Sequence, residues 1–166
     1  MRYERKYRIE HAHPQVVQVV IRQHPAGFRP LFPPRQINNL YFDTPDFAAF
    51  QDNVTGTPQR LKYRLRWYRE ILGKGLDLQP VLFNTYQRSY WGAPALPFRL
   101  TMDTGLRFGP YQAHREPALP FTDSATVIEV KYDQQEDERT AFILQHLPFR
   151  LSKNSKFVTG INLCYG

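Results

Sequence analysis

RLKYRLRW, residues 60–67, decides how the rest of this sequence is read. On a strand, where side chains alternate between faces, Arg60, Lys62, Arg64 and Arg66 point one way and Leu61, Tyr63, Leu65 and Trp67 the other. Like charges about 7 Å apart along one face repel one another. A sequence that keeps them recovers the cost from carboxylates opposite or from a bound polyanion. The competing reading is a solvated edge strand guarded by basic residues.

Outward from this stretch, the same alternation recurs. Residues 2–9 place Arg2, Glu4, Lys6 and Arg8 against Tyr3, Arg5, Tyr7 and Ile9. FRLTMD, residues 98–103, sets Phe98, Leu100 and Met102 against Arg99, Thr101 and Asp103, and Leu106–Phe108 reads as a short partner strand. TVIEVKY, residues 126–132, sets Ile128, Val130 and Tyr132 against Glu129 and Lys131. Strands are also expected at 37–42 and at 78–91, where Arg88 stands in an aromatic run. If the sheet curls so that the charged faces converge, the class is α+β: an antiparallel β-barrel with a charged interior and flanking helices. Such an interior persists only if its charges satisfy each other or hold a polyanion and a metal.

Between the strands, 11–24 reads as a helix opened by Pro14, with Val16, Val17, Val20 and Ile21 at helical spacing and with His11, His13 and His24 as surface or capping groups. PAGFRPLFPP, residues 25–34, reads as loop, as do 109–120. Thr44 is expected to cap a helical turn with Pro45 at its first position, and 53–58 to be a turn-rich link. Asp133 is expected to cap a helix with an apolar stripe of Ala141, Phe142, Ile143 and Leu144, ended by Leu147-Pro148. The tail from Leu151 is left open between helix and strand.

The chain has 166 residues, read as one domain, 1–166, with no repeat. Its 22 Lys+Arg against 15 Asp+Glu give a formal +7, a balance that favours phosphate-bearing partners. Cys164, alone, excludes an internal disulfide and fits a reducing compartment. MRYERKYRIE lacks the apolar core of a signal peptide, and no window approaches a membrane span, so a cytoplasmic location is expected. Aromatics lie mostly opposite the charges instead of interleaving with them, which argues against a nucleic-acid stacking platform. No residue set suggests a covalent nucleophile.

RYERKY, NNLYFDTPDF, RLKYRLRWY, YQRSYW, FRLTMDTGLRF, VIEVKY and SKFVTGI, in that order, cover nearly the whole chain. Together they make the sequence resemble the VTC domain, the polyphosphate-polymerase domain of the vacuolar transporter chaperone complex, within the triphosphate tunnel superfamily. The resemblance implies a tunnel in which basic residues grip a nucleoside triphosphate and inorganic polyphosphate, with a divalent metal, Mn²⁺ or Mg²⁺. By that resemblance, Arg64, Arg66, Arg88, Arg99 and Lys156 are the catalytic set; Lys6, Lys62, Lys131 and Ser155 bind phosphate beside them; Glu129 is the metal-binding glutamate. Read from the residues alone, Arg99 with Asp103 is equally a structural pair, and Glu129 equally the neutraliser of a nearby cation. The sequence departs from the family after Tyr68, where REILGKGLDLQP stands in place of a glutamate-and-lysine strand, and Lys74 is a poor substitute for it. The rival readings are therefore a triphosphatase and a non-catalytic polyanion-binding module. A membrane partner and the oligomeric state are left open.

Overall fold

A computed structural model describes residues 2–58, 61–67 and 78–166. In chain order these form β1 (Arg2–Ile9), α1 (Pro14–Gln23), β2 (Arg29–Asp43), α2 (Ala48–Thr55), β3 (Tyr63–Trp67), β4 (Gln79–Ala93), β5 (Leu96–Pro110), β6 (Phe121–Asp123) and β7 (Thr126–Asp133). A 3₁₀ turn (Gln134–Glu136), α3 (Asp137–Gln145) and α4 (Lys156–Tyr165) follow. The strands make one sheet in the order β1-β7-β5-β4-β2-β3, with β6 pairing β5 off this path. The ladders β1/β7, β5/β7, β5/β6 and β2/β3 are antiparallel, and only Pro94 and Ala95 separate β4 from β5, as in a hairpin. The α+β class holds. Among the described residues the sheet is an open path, so the expected closure into a barrel does not follow from it. No helix is long and apolar enough to cross a membrane, among the described residues.

Contacts gather into two compact units, each assembled from three separate segments of chain. The first comprises Met1–Arg35, Gln87–Gly105 and Ser124–Asn154. Its sheet turns one face to helices and buries Tyr7, Trp91, Phe98, Leu100, Ile128 and Val130 with Val17 and Ile21 of α1 and Ile143 of α3. The period of two in β1, β5 and β7 produces this face, and the alternate residues carry the charges. Helix α1 starts after His13, whose Nδ1 accepts from the Gln15 amide. His24, at its other end, is buried: Nδ1 accepts from the Ala26 amide, so Nε2 donates to the Ile143 carbonyl, 2.9 Å away. Helix α3 departs from expectation. Asp133 ends β7, the cap position falls to Glu136, and of the run Ala141–Leu144 only Ile143 is fully buried while Phe142 is exposed. Four consecutive apolar residues wrap around a helix, so the core takes one of them, joined by Thr140 and Leu147 at the adjoining turns.

The second unit comprises Gln36–Tyr86, Leu106–Asp123 and Ser155–Gly166. Ile37, Tyr41, Leu82, Leu106 and Phe108 of its strands are buried, as are Phe157 and Ile161 of α4. Helix α4 lies tight against the sheet at Gly160, where a Cβ would come within 2.5 Å of Leu82 and 2.6 Å of Phe108. Here too the capping differs from expectation. Helix α2 begins at Ala48, after Phe47 with φ 58°, and the buried Asp43 carboxylate accepts from the amides of Ala49 and Phe50. Thr44 Oγ1 takes only the Ala48 amide, and Pro45 precedes the helix. A carboxylate reaching two amides at the positive end of a helix outcompetes a hydroxyl. The helix then continues to Thr55, through the expected link, until Gly56 stops it with φ 81°.

Two strands are longer than their sequence signals. Strand β2 starts at Arg29, within the expected loop, because extended backbone accommodates the fixed φ of Pro30, Pro33 and Pro34, and residues 31–36 are exposed. Strand β5 runs unbroken through Gly105, whose φ of 60° fits a bulge. Leu106–Phe108 therefore belong to β5 itself, and their partner is β6, just after the expected loop 109–120. The tail resolves as helix α4.

Burial lowers the pKa of His24, so below the unfolded-state pKa of about 6.5 the unfolded chain binds a proton that the folded chain resists. His24 thus contributes stability that is complete above about pH 6.5 and lost as pH falls towards its folded pKa. The thermal unfolding midpoint is expected to fall between pH 7.5 and 5.5, and to fall less in His24→Gln. Equal falls in the two proteins would refute this assignment.

Candidate functional site

In the first unit the charged face is built by register. Lys6 stands opposite Glu129 and Glu4 opposite Lys131 across β1/β7, while Thr101 and Arg99 stand opposite Glu129 and Lys131 across β5/β7. Arg88, from β4, enters this face. Its Nε and Nη2 donate to the two oxygens of Asp103, both at 2.6 Å, and Nη2 lies 3.5 Å from Glu129 Oε2. Arg88, Asp103 and Glu129 are all buried. Lys131 Nζ lies 3.5 Å from Glu129 and 3.4 Å from Glu4, and Lys6 Nζ lies 2.8 Å from Glu4 and donates to the Asn154 carbonyl. A carboxylate thus stands between cations at every step. Arg99 is different: it is exposed, and among the described residues no hydrogen bond or ion pair occupies its side chain. Asp103 spends both oxygens on Arg88, so the Arg99–Asp103 pair expected as the structural alternative does not form. Beside it, Thr101 is 8% exposed and its Oγ1 has no partner.

In the second unit neutral groups orient Arg64 and Arg66. Arg66 Nε donates to Asn39 Oδ1 at 3.0 Å and Nη2 to the Tyr86 hydroxyl at 3.4 Å. Asn39, directly opposite Arg66 across β2/β3, is itself fixed by Asn84 Oδ1 at 3.0 Å. The Arg64 guanidinium stands 5.9 Å from the Tyr41 ring centre. Amide, phenol and ring faces orient Arg64 and Arg66 without cancelling their charge. Lys62 Nζ donates to Ser155 Oγ at 2.9 Å, and Ser155 caps α4 by accepting from the Val158 amide. Lys156, the first residue of that helix, is buried with Nζ 4.9 Å from the Tyr86 ring centre. A cation there opposes the helix dipole, an arrangement that an anion nearby relieves. The apolar face of β3 is largely exposed: Leu61 and Tyr63 are exposed and Leu65 half-buried, while Lys62, Arg64 and Arg66 on the cationic face make the contacts above.

The VTC domain profile matches residues 1–76 and 70–165. The chain belongs to the VTC domain family. No curated protein matches the sequence. Among solved structures, a candidate adenylate cyclase from Vibrio parahaemolyticus is similar at a TM-score of 0.53 and 14% identity, covering 95% of this chain and 97% of that one. The PH1819 protein from Pyrococcus horikoshii OT3 is similar at 0.53 and 11% identity, covering 96% and 99%. At such identities the likeness is one of fold. The two pieces of the VTC match overlap at residues 70–76; that stretch, with Lys74, lies outside the described residues, as does Arg60.

Within this VTC domain the residues singled out from sequence fall into two sets. Lys6, Arg88, Arg99, Glu129 and Lys131 share the charged face of the first unit, and Lys62, Arg64, Arg66, Ser155 and Lys156 gather in the second. Sequence reasoning missed Asn39, Asn84 and Tyr86, which position the second set. Their signal was a polar residue inside an apolar run, since buried amides and hydroxyls require partners. Cys164 is half-buried, and burial pushes its thiol up to about 11, which fits an inert side chain. Among the described residues no three acidic, His or Cys side chains cluster as a metal cage. Glu129, the carboxylate expected to hold a metal, is buried and lies 3.5 Å from both Arg88 Nη2 and Lys131 Nζ.

The buried Arg88–Asp103 pair carries a folding prediction. Asp103→Asn leaves the Arg88 guanidinium buried beside a poorer acceptor and is expected to cost about 3–5 kcal/mol in urea unfolding, the range for breaking a buried pair. A loss below 1 kcal/mol would show the pair to be dispensable to the fold.

Proposed function

We propose that this VTC domain is a polyphosphate polymerase that moves the terminal phosphoryl group of a nucleoside triphosphate onto inorganic polyphosphate. The observation that carries the reading is that Arg64 and Arg66 are held by neutral groups and so offer full charge to an anion. Family membership supports the same chemistry. The bond from the terminal phosphorus to its bridging oxygen breaks, a bond to the end oxygen of the chain forms, and the nucleoside diphosphate leaves. The transition state is loose, so the protein's work is positioning and charge neutralisation.

Arg64, Arg66, Arg88, Arg99, Lys6 and Lys156 bind phosphate oxygens, the guanidinium forks two at a time. Lys62, Lys131 and Ser155 support them. A divalent ion, Mg²⁺ or Mn²⁺, when bound through Glu129 and the phosphates, would neutralise charge on the transferring group. The charged tunnel implied by the family resemblance belongs to this proposal, as does a cytoplasmic setting suited to a lone reduced cysteine. The non-catalytic polyphosphate-binding module is the second reading, favoured by the sequence after Tyr68, where the family's segment is replaced.

Incubation with ATP and Mn²⁺ or Mg²⁺, with products resolved on a polyphosphate gel, tests the proposal. Long chains are expected from the wild type, with at least a 100-fold loss in Arg66→Ala, the scale for removing a charge-stabilising donor. Orthophosphate without chains would instead identify a triphosphatase. Polyphosphate binding with no product would identify the binding module.

A further inference from the structure

Along the charged face of the first unit lies a cavity of about 770 Å³ whose two ends differ in chemistry. Arg88, Arg99, Thr101 and Lys131 line one part of it. Phe32 and Tyr90 line another, with ring centres 6.1 Å apart and planes at 81°. Phe32 is 52% exposed, an unusual condition for a large aromatic side chain, and the Arg35 guanidinium stands 5.3 Å from its ring centre. Strand periodicity explains why the two parts adjoin. Arg88 and Tyr90 are two apart on β4 and share a face, as Arg99 and Thr101 do on β5. Phe32 comes from the proline-bearing start of β2, which the sequence presented as loop.

We infer that this cavity seats a nucleotide, its base against Phe32 and Tyr90 and its phosphates towards Arg99, Lys131 and Arg88. Two independent observations point to a ligand. One is the buried Thr101 hydroxyl, which lines the cavity with no hydrogen-bond partner and suits a phosphate or ribose oxygen. The other is Arg99, which among the described residues engages no carboxylate. Inorganic phosphate chains have no use for an exposed aromatic ring beside a second one, whereas every nucleobase has a flat face to stack on it. Stacking tolerates any base, so the seat holds the nucleoside with little discrimination among bases. The inference rests on the proposed use of a nucleoside triphosphate and assigns its nucleoside end.

Calorimetric titration of the full chain with MgATP and with inorganic tripolyphosphate distinguishes the two ideas. Phe32→Ala is expected to weaken ATP binding about tenfold, the scale of one lost base stack, and to leave tripolyphosphate unchanged. Phe32→Trp is expected to retain ATP affinity, and Arg99→Ala to weaken both ligands. If Phe32→Ala weakens neither ligand, or both equally, the base seat is overturned. If the wild type binds tripolyphosphate as tightly as ATP, the seat falls and the phosphate-binding reading stands. If the wild type binds neither, both fall.

Discussion

A buried guanidinium has to be neutralised where it lies, and Arg88 meets this requirement with both oxygens of Asp103 and an approach to Glu129. Removing a charge from water is costly, and only geometry of this quality recovers it. The pair fixes the facing positions of β4 and β5, and through Glu129 it ties β7 to them. With that face committed to charge, the opposite face of the same strands is left to form the apolar core with α1 and α3. Core and site are two sides of one alternation.

The two units treat their cations in opposite ways. In the first, carboxylates stand between Lys6, Arg88 and Lys131, so a ligand arriving there must share each cation with a resident anion. In the second, Arg64 and Arg66 are oriented by an amide, a phenol and a ring, so their field extends outward undiminished. Under the proposed function, the compensated cations would lie beside a carboxylate available to a metal ion, and the uncompensated ones would grip the polyanion.

The charged and apolar faces of β1, β5 and β7 were legible because a period of two is written directly in residue order. Partner choice across the sheet was not. Arg99 and Asp103 lie on one strand face and read as a pair, yet Asp103 meets an arginine from the neighbouring strand, which residue order does not disclose. The start of β2 was hidden by prolines, whose loop signal is only a statement about missing donors and fixed φ. That β5 continues through Gly105 was not read from residue order. Asp43 was passed over as a cap because Thr44 stood beside Pro45 in the familiar order. On β3 the alternation was seen, but that its apolar face lies largely exposed could not be read from a period alone. Helix α4 stayed open because Phe157, Val158, Thr159 and Ile161 suit strands as well as helices, and its packing at Gly160 is a tertiary fact.

The interleaving of the two units has a consequence for how the chain reaches its native state. Strand β1 precedes β7, its ladder partner, by most of the described elements, so the pairing of Lys6 with Glu129 joins residues 123 apart in the chain. Contacts of that span slow folding, and a strand left waiting for its partner is exposed to wrong ones. Arg2, Glu4, Lys6 and Arg8 place charge at every second position of the waiting strand. Alternating charge of this kind resists edge-to-edge association, so the charges along β1 guard the chain against aggregation until β7 emerges.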